Sequence, residues 1–251
     1  QQAEDFKIPR QRIICTGDVV AYCAEPEQTS RLLMESGIHV VMGNCEEALA
    51  NQSADCGCGF EPGMLCSTLS ENWYRYADQQ ISQSTRDWMG ELPRAIGFQL
   101  GGRQFRVIHG GVDQINRFIF ASTDDRIKLQ QLDMANADIV IGGHCGVPFG
   151  QRLGDRAWLN AGVIGLPAND GTRCGWYLIL TPSEQAIEAR WHRLEYDHEK
   201  SYQSMQAAGL NDYALSLKSG LWPSMDVLPA AEQTQRGIAL EPAPLKFEPV
   251  G

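Results

Sequence analysis

Ile13-Ile14-Cys15-Thr16-Gly17-Asp18 is the stretch of sequence that indicates how this chain folds. Two β-branched residues open the stretch, and a small turn followed by a carboxylate closes it. This pattern is typical of a buried strand in an open α/β sheet, and such sheets place their ligands at the carboxyl ends of their strands. The sequence therefore predicts that Asp18 lies at a ligand-binding edge.

Three later stretches repeat this design, at residues 40–46, 105–111 and 139–146. In each, an apolar run ends in a glycine beside an asparagine or a histidine. Glycine lets the backbone turn sharply and approach an ion or a phosphate closely. The four strand ends predict one converging site, whose polar members are Asp18, Asn44, His109 and His144.

Composition limits the kinds of function that the chain could have. The chain has 251 residues, 43% of them hydrophobic, and a net charge of −10, which argues against a broad nucleic-acid surface. No apolar run approaches the roughly 20 residues of a membrane span, and no signal peptide is visible, so we expect a cytoplasmic protein without a membrane partner. The chain begins with Gln1, so we expect a preceding segment.

Periodicity predicts a mixed order of elements. Strand 12–15, helix 26–35 and strand 38–42 form a βαβ unit. Further helices are predicted over 46–52, 70–79, 83–90, 124–135, 197–208 and 211–218. Further strands are predicted over 95–100, 104–108, 138–142, 150–153, 156–160, 174–181 and 186–191. We expect one domain over 1–220, with a Cys-rich insertion at 53–66, and a C-terminal tail over 221–251.

One carboxylate, one amide and two imidazoles at strand ends suit divalent metal ions. Nitrogen and oxygen ligands of this kind favour Mn, Fe, Zn or Ni over Ca. Two such ions can hold a phosphate, activate water and stabilise a leaving oxygen. The purely structural alternatives are that Asp18 caps a turn, that Asn44 caps a helix, and that His109 and His144 are core residues whose hydrogen bonds are satisfied.

Gly17-Asp18, Gly43-Asn44-Cys45-Glu46, His109-Gly110 and Gly143-His144, in this order, resemble the blocks of the calcineurin-like metallophosphoesterase superfamily. The resemblance covers roughly residues 12–192, and the sequence around the blocks resembles the bacterial small-phosphodiesterase branch. It implies an α/β fold, a metallophosphoesterase-like β-sandwich flanked by helices, here lacking its first strand. It also implies one or two divalent metal ions per chain.

Carried over by position, Asp18 would bridge two ions, and Asn44, His109 and His144 would complete one site. The resemblance also gives His109 and Asn44 catalytic roles in orienting the phosphate. The family's D-x-H block would lie before residue 1. Gly146 stands where the family's last histidine would be, so we consider Cys145 as a substitute ligand.

Cysteines and turn residues add further candidates. Cys45 stands where many family members have a histidine that assists the leaving group, although a small buried thiol is the simpler interpretation. Cys56, Cys58 and Cys66 could bind zinc, form a disulfide or remain free thiols lining a lid. Asn169 and Asp170 could contact substrate or belong to a solvated turn.

The leading hypothesis is a metal-dependent hydrolase of phosphomonoesters or phosphodiesters that uses metal-activated water on a phosphorylated small molecule. The alternative is a catalytically weak protein that binds metal and a phosphorylated ligand as a sensor or partner. A third hypothesis is a zinc-stabilised interaction protein centred on the Cys-rich insertion. The sequence names neither the substrate nor the oligomeric state.

Overall fold

The strand that ends in Gly17-Asp18 belongs to a parallel βαβ unit, as the sequence predicts. In the computed structural model, which describes residues 2–60 and 63–250, a short helix α1 (Gln2–Asp5) and a 3-10 turn precede β1 (Ile14–Cys15). Strand β1 pairs in parallel with β2 (His39–Val40). Helix α2 (Pro26–Ser36) joins them, with proline in its first turn and Gly37 at φ 72° after its last residue.

Two larger sheets follow along the chain. The first contains β3 (Ala95–Leu100), β4 (Arg103–Ile108), β5 (Ile139–Gly142), β6 (Phe149–Leu153) and β7 (Arg156–Asn160) in the order β3-β4-β5-β7-β6. Its central strands β4, β5 and β7 are parallel, and the two edge strands are antiparallel to their neighbours. The second contains β8 (Gly175–Pro182), β9 (Ile187–Leu194) and β10 (Leu245–Phe247), all antiparallel, in the order β10-β9-β8.

The two larger sheets share one apolar core. Phe105 and Val107 from β4 belong to the same buried cluster as Trp176, Ile187 and Trp191 from the three-stranded sheet. Alternate residues of a strand point to opposite faces, so Ile108 lies in a second cluster on the outer face of the five-stranded sheet. The α/β sandwich prediction is confirmed. The first strand of the family pattern, expected before residue 1, lies outside the described residues.

Helices cover the sandwich. They are α3 (Asn44–Ala50), α4 (Leu65–Gln80), α5 (Gln83–Gly90), α6 (Asp125–Ala135), α7 (His198–Ala207), α8 (Asn211–Ser219) and α9 (Ala230–Gln233). Helix α6 packs on the outer face of the five-stranded sheet through Leu132 and Ala135. Within the described ranges, no helix combines the length and the apolar character needed to cross a bilayer.

Helix α4 begins five residues earlier than its predicted start at residue 70. Cys66 therefore lies in the first helical turn, and its backbone N–H donates to Asp226 Oδ2 at 3.3 Å. The first N–H groups of a helix have no partner within the helix, and here a distant carboxylate supplies one. Sequence periodicity carries no signal for an acceptor that is so far away along the chain.

Candidate metal centre

Four polar atoms from four segments of the chain meet at one point of the structure. Asp18 follows β1, Asn44 opens α3, His109 follows β4, and His144 lies two residues after β5. The Nε2 atom of His109 lies 3.1 Å from Asp18 Oδ2, 3.0 Å from Asn44 Oδ1 and 2.9 Å from His144 Nδ1. The predicted convergence of strand ends therefore takes place, and it brings together the four residues that the sequence singled out.

The backbone fixes which nitrogen of His109 faces this cluster. Its Nδ1 lies 2.7 Å from the carbonyl oxygen of Thr16. A carbonyl oxygen only accepts hydrogen bonds, so Nδ1 carries the proton, and Nε2 of the neutral ring presents a lone pair. That lone pair faces a carboxylate oxygen, an amide oxygen and a second imidazole nitrogen. Such a set of acceptors fits a divalent cation, and a backbone carbonyl behind the ring is a usual way to orient a histidine ligand.

The protonation of the cluster follows from burial and from its one carboxylate. Burial raises the pKa of Asp18, but His109 and His144 outweigh it and hold that pKa at about 2. Burial lowers the pKa of His109, and the charge of Asp18 overcomes this and raises it. Burial and the neighbouring His109 lower the pKa of His144 to about 3. His144 is therefore neutral, and its Nε2 is buried without a hydrogen-bond partner among the described residues.

Metal affinity is expected to rise with pH through the pKa of His109. A proton and a metal ion compete for Nε2, so each pH unit below that pKa should weaken Mn²⁺ binding about tenfold for the one proton displaced. Asp18, with its pKa at about 2, stays ionised over this range and adds no slope. Calorimetric titration with Mn²⁺ between about pH 5 and about pH 8 measures the effect. An affinity that does not change with pH would contradict the assignment of Nε2 as a ligand.

Asn44 is oriented by the Cys-rich insertion. Its side chain is 1% exposed, and its Nδ2 donates to the carbonyl oxygen of Cys56 at 2.8 Å. The amide oxygen is thereby turned toward His109. Asn44 is the first residue of α3, with Gly43 as the N-cap, so the helix start and the ligand position coincide.

Glu46 is a functional residue that sequence reasoning missed. It is fully buried, and its carboxylate accepts backbone hydrogen bonds from Asp18 at 2.7 Å, Val19 at 2.9 Å and Gly43 at 2.8 Å. It therefore locks together the two turns that present Asp18 and Asn44. Burial and the charge of Asp18 raise its pKa to about 7. The available signal was an acid at the third position of α3, where a side chain can reach back to the N-cap N–H.

Cys145 does not join the cluster, so its assignment as a substitute ligand is wrong. Its thiol is buried, accepts from Asn160 Nδ2 at 3.1 Å, and lies 3.7 Å from the carbonyl of Val147. Burial raises the pKa of this thiol to about 12. The residue belongs to the apolar cluster on the outer face of the five-stranded sheet. His144 and Cys145 lie in a turn that the Gly146 N–H closes by donating to Gly143 O at 2.8 Å, and this turn directs His144 toward the cluster and Cys145 toward the outer face of the sheet.

Gly146 is enclosed by an aromatic ring from the C-terminal segment. It has φ 71°, and a Cβ added there would lie 3.3 Å from Cζ2 of Trp222. The indole N–H of Trp222 donates to Pro167 O at 2.7 Å, which holds the ring in place. Both the backbone conformation and the indole therefore oppose a longer side chain at residue 146.

Gly146→His is expected to destabilise the protein by about 1–3 kcal/mol, because it combines left-handed strain with the indole contact. It is also expected to add no second metal ion. Gly154→His is the matched control, since Gly154 has φ 73° and a Cβ added there would meet no described atom within 4 Å. Thermal unfolding and metal content per chain measure both effects. Equal losses of stability in the two variants would show that Trp222 plays no part.

The Cys-rich insertion forms a disulfide, so the zinc-site prediction is wrong. Cys56 and Cys58 are bonded to each other, while Cys66 is free in the first turn of α4. A disulfide sulfur offers no thiolate to zinc. Among the residues that the structure describes, Asp18, His109 and His144 form the one group of three His, Cys, Asp or Glu side chains close enough to hold an ion. The zinc-stabilised interaction protein therefore loses its basis.

Cys45 matches its simpler interpretation as a buried thiol. It is 0% exposed, and its Sγ lies 3.6 Å from Asn44 Nδ2. Burial and the charges of Asp18 and Glu46 raise its pKa well above the usual thiol value. Its backbone N–H donates to Asp18 Oδ1 at 3.0 Å, so the contribution of this position to the centre comes from the main chain.

Asn169 and Asp170 anchor the C-terminal segment through hydrogen bonds to the backbone of Trp222 and Leu240. Asn169 Oδ1 accepts from the backbone N–H of Trp222 at 2.9 Å. Asp170 accepts from Thr172 through Oδ1 and from the backbone N–H of Leu240 through Oδ2 at 3.1 Å. Both residues are almost fully buried, 4% and 2% exposed, and these hydrogen bonds hold the C-terminal segment against the turn. Their role as substrate contacts stays a prediction, and the turn itself is buried where a solvated one was the alternative.

Comparisons with known proteins agree with this geometry. The profile of the calcineurin-like phosphoesterase superfamily domain matches residues 3–185. A metallophosphoesterase from Sphaerobacter thermophilus superposes with a TM-score of 0.62 at 20% identity, over 88% of this chain and 93% of that chain. A hypothetical protein from Pyrococcus horikoshii superposes with a TM-score of 0.70 at 13% identity, over 88% and 91% of the two chains. At these identities the two structures establish the fold alone. No curated protein matches the chain. The profile match covers most of the chain and includes all four strand ends, so this chain belongs to the calcineurin-like phosphoesterase superfamily.

Proposed function

We propose that this protein is a metal-dependent hydrolase of phosphomonoesters or phosphodiesters. The observation that carries the proposal is the set of acceptor atoms around His109 Nε2, all within 3.1 Å of it. The side chains of His109 and His144 are 2% and 4% exposed, while that of Asp18 keeps 18%. A substrate would therefore approach the centre from the side of Asp18.

The residues of the chain would divide the work at this centre. A bound divalent ion, Mn, Fe, Zn or Ni, would supply Lewis acidity toward a phosphoryl oxygen and lower the pKa of water. Asp18 would neutralise part of its charge, and Asn44, His109 and His144 would hold it without adding charge. The four ligands fit one ion, and Gly146 adds no side-chain ligand for a second. The catalytic roles of His109 and Asn44 in orienting the phosphate remain a prediction.

Within the described part of the chain, no general acid stands beside the cluster. Cys45 is buried with its pKa raised, and Glu46 is enclosed with its carboxylate occupied by three backbone N–H groups. Without an acid to protonate the leaving oxygen, the rate depends strongly on how stable the leaving group is as an anion. We therefore infer a preference for esters with good leaving groups, such as aryl phosphates. A phosphorylated small molecule in the cytoplasm is the proposed class of substrate.

Hydrolysis of bis(p-nitrophenyl) phosphate and of p-nitrophenyl phosphate tests the proposal. Protein stripped with a chelator and reloaded with Mn²⁺ is compared with His144→Ala, which loses a ligand, and with His39→Ala, which alters an exposed histidine outside the cluster. We expect hydrolysis that requires metal, survives in His39→Ala and is lost in His144→Ala. The more reactive of the two esters assigns the protein as a phosphodiesterase or a phosphatase.

The same assay addresses the second candidate, a catalytically weak protein that binds metal and a phosphorylated ligand. The observation in its favour is that Gly146 is closed off by Trp222 and cannot supply a further ligand. Tight Mn²⁺ binding without turnover of either ester would favour this candidate over the hydrolase. Folded protein that binds no Mn²⁺ would contradict both.

A further inference from the structure

The disulfide-closed loop of Cys56, Gly57 and Cys58 lies directly against a proposed metal ligand. Both cysteines are buried, 3% and 2% exposed, in a cluster that also contains Cys45 and Leu49 from α3. The Cys56 carbonyl oxygen lies 2.8 Å from Asn44 Nδ2, and Cys58 Sγ lies 3.3 Å from the same atom. The proposed function assigns no role to this disulfide.

The contact with Cys56 decides which end of the Asn44 amide faces the metal. A carbonyl oxygen accepts only, so it holds the NH₂ group of Asn44 toward the loop and leaves Oδ1 facing His109. If the amide were flipped, its oxygen would oppose the Cys56 oxygen, and its NH₂ group would point at the metal position. An NH₂ group cannot coordinate a cation, so the flip would remove one ligand.

The loop is held on its other side as well. The carbonyl oxygen of Gly57 accepts from Asn116 Nδ2 at 2.8 Å, and the N–H of Gly57 donates to Asp55 Oδ1 at 2.8 Å. Asn116 belongs to the segment that follows His109, so the loop bridges the turns that carry Asn44 and His109. Gly57 has φ 65°, a conformation that the bond between its two neighbours helps to maintain.

We propose that the Cys56–Cys58 disulfide is a positioning element of the metal centre, which keeps the Cys56 carbonyl against Asn44 and makes metal affinity depend on the redox state of this pair. The inference rests on the proposed function, because it takes Asn44 to be a ligand. The step is a two-electron reduction: a dithiol reductant gives up two electrons and two protons and closes to its own disulfide. The S–S bond breaks, and Cys56 and Cys58 become thiols.

The consequence of reduction is a looser loop. Two thiols no longer tie the residues on either side of Gly57, so the Cys56 carbonyl is free to leave Asn44 Nδ2. Loss of a partner that orients a metal ligand typically weakens metal binding about 10–100-fold. We therefore expect reduced protein to bind Mn²⁺ at least about tenfold more weakly than oxidised protein. The buried sulfurs become accessible only when the loop opens, so reduction should be slow.

Mn²⁺ titration of the full chain in the two redox states tests the proposal. Thiol alkylation under denaturing conditions verifies the states, since oxidised protein has six free cysteines and the reduced chain has eight. The dithiol is removed without oxygen before titration. Cys56→Ser/Cys58→Ser reproduces the reduced state permanently, and Cys174→Ser controls for loss of a free cysteine. Exchange of the Asn44 side-chain amide, followed by NMR in metal-free protein, reports on the orienting hydrogen bond without any metal.

The expected results are weaker Mn²⁺ binding and faster Asn44 amide exchange in reduced protein and in the double variant. Reoxidation should restore the wild-type affinity and leave the double variant unchanged. Equal affinities in the two redox states of folded wild-type protein would overturn the inference and leave the proposed function standing. An equal loss of affinity on treating the double variant with reductant would also overturn it, because the effect would not pass through this pair. Folded, oxidised protein that binds no Mn²⁺ at all would overturn the proposed function together with the inference.

Discussion

Asp18→Asn is expected to abolish tight metal binding and to reduce hydrolysis by more than about a hundredfold, since losing a group that only orients a ligand already costs about 10–100-fold. The substitution keeps the shape of the side chain and its Oδ1 acceptor for the N–H of Cys45. It removes the one negative charge that faces His109 in the cluster. Asp18 has φ 54°, and asparagine is among the residues that tolerate this left-handed conformation best. The fold should therefore survive, and the loss should report the missing charge.

Metal content after dialysis and hydrolysis of bis(p-nitrophenyl) phosphate measure the two effects. Asp212→Asn is the matched control. Asp212 is exposed on α8, and its substitution changes the net charge by the same amount. The charge of Asp18 raises the pKa of His109, so the variant should also lower that pKa, which NMR titration of the imidazole detects. Full metal occupancy in Asp18→Asn would remove Asp18 from the ligand set.

Glu46→Ala is expected to destabilise the protein by about 3 kcal/mol or more and to disorder the metal centre with it. Alanine leaves the backbone N–H groups of Asp18, Val19 and Gly43 without their acceptor. Each buried donor left unsatisfied costs about 1–3 kcal/mol. Since a domain is stable by only about 5–15 kcal/mol, the loss would be a large part of the total.

Glu46→Gln separates the hydrogen bonds from the charge. Its single carbonyl oxygen can replace the carboxylate oxygen that accepts from Asp18 and Gly43, while its NH₂ group opposes the N–H of Val19. The loss of stability in Glu46→Gln should therefore be smaller than that in Glu46→Ala. Glu47→Ala, one residue along the same helix, removes a partly exposed ion pair with Arg94 and should cost about 1 kcal/mol or less. Denaturant unfolding compares the three variants, and an equal effect of Glu46→Ala and Glu47→Ala would contradict the locking role of Glu46.

The convergence of Asp18, Asn44, His109 and His144 could be predicted because it depends on local patterns. Each residue follows a short apolar run with a glycine beside it, and the carboxyl ends of such strands meet at one edge of a fold. Most of the helices and strands could also be predicted from periodicity and from helix start and stop signals such as Pro26 and Gly37. These signals are contained within a few residues of sequence.

The features that escaped prediction depend on contacts between distant segments. The role of Glu46 requires the turn at residues 17–19 to close over α3, and the start of α4 depends on Asp226. The buried positions of Asn169 and Asp170 depend on a C-terminal segment that returns to them. The state of Cys56 and Cys58 depends on the geometry of the loop, and spacing alone allowed a thiol, a zinc site or a disulfide. No local pattern encodes which remote group supplies a partner.

The wide spacing of the four ligands along the chain has a consequence for the lifetime of the protein. Asp18 lies near the amino end and His144 beyond the midpoint, so one ion at this centre would act as a cross-link between segments that the unfolded chain keeps far apart. A ligand that binds only the folded state adds about 2.7 kcal/mol when its concentration is a hundred times its Kd. Resistance to proteolysis would then increase with the concentration of available metal. Chains made when the metal is scarce would be degraded sooner than chains made when it is abundant.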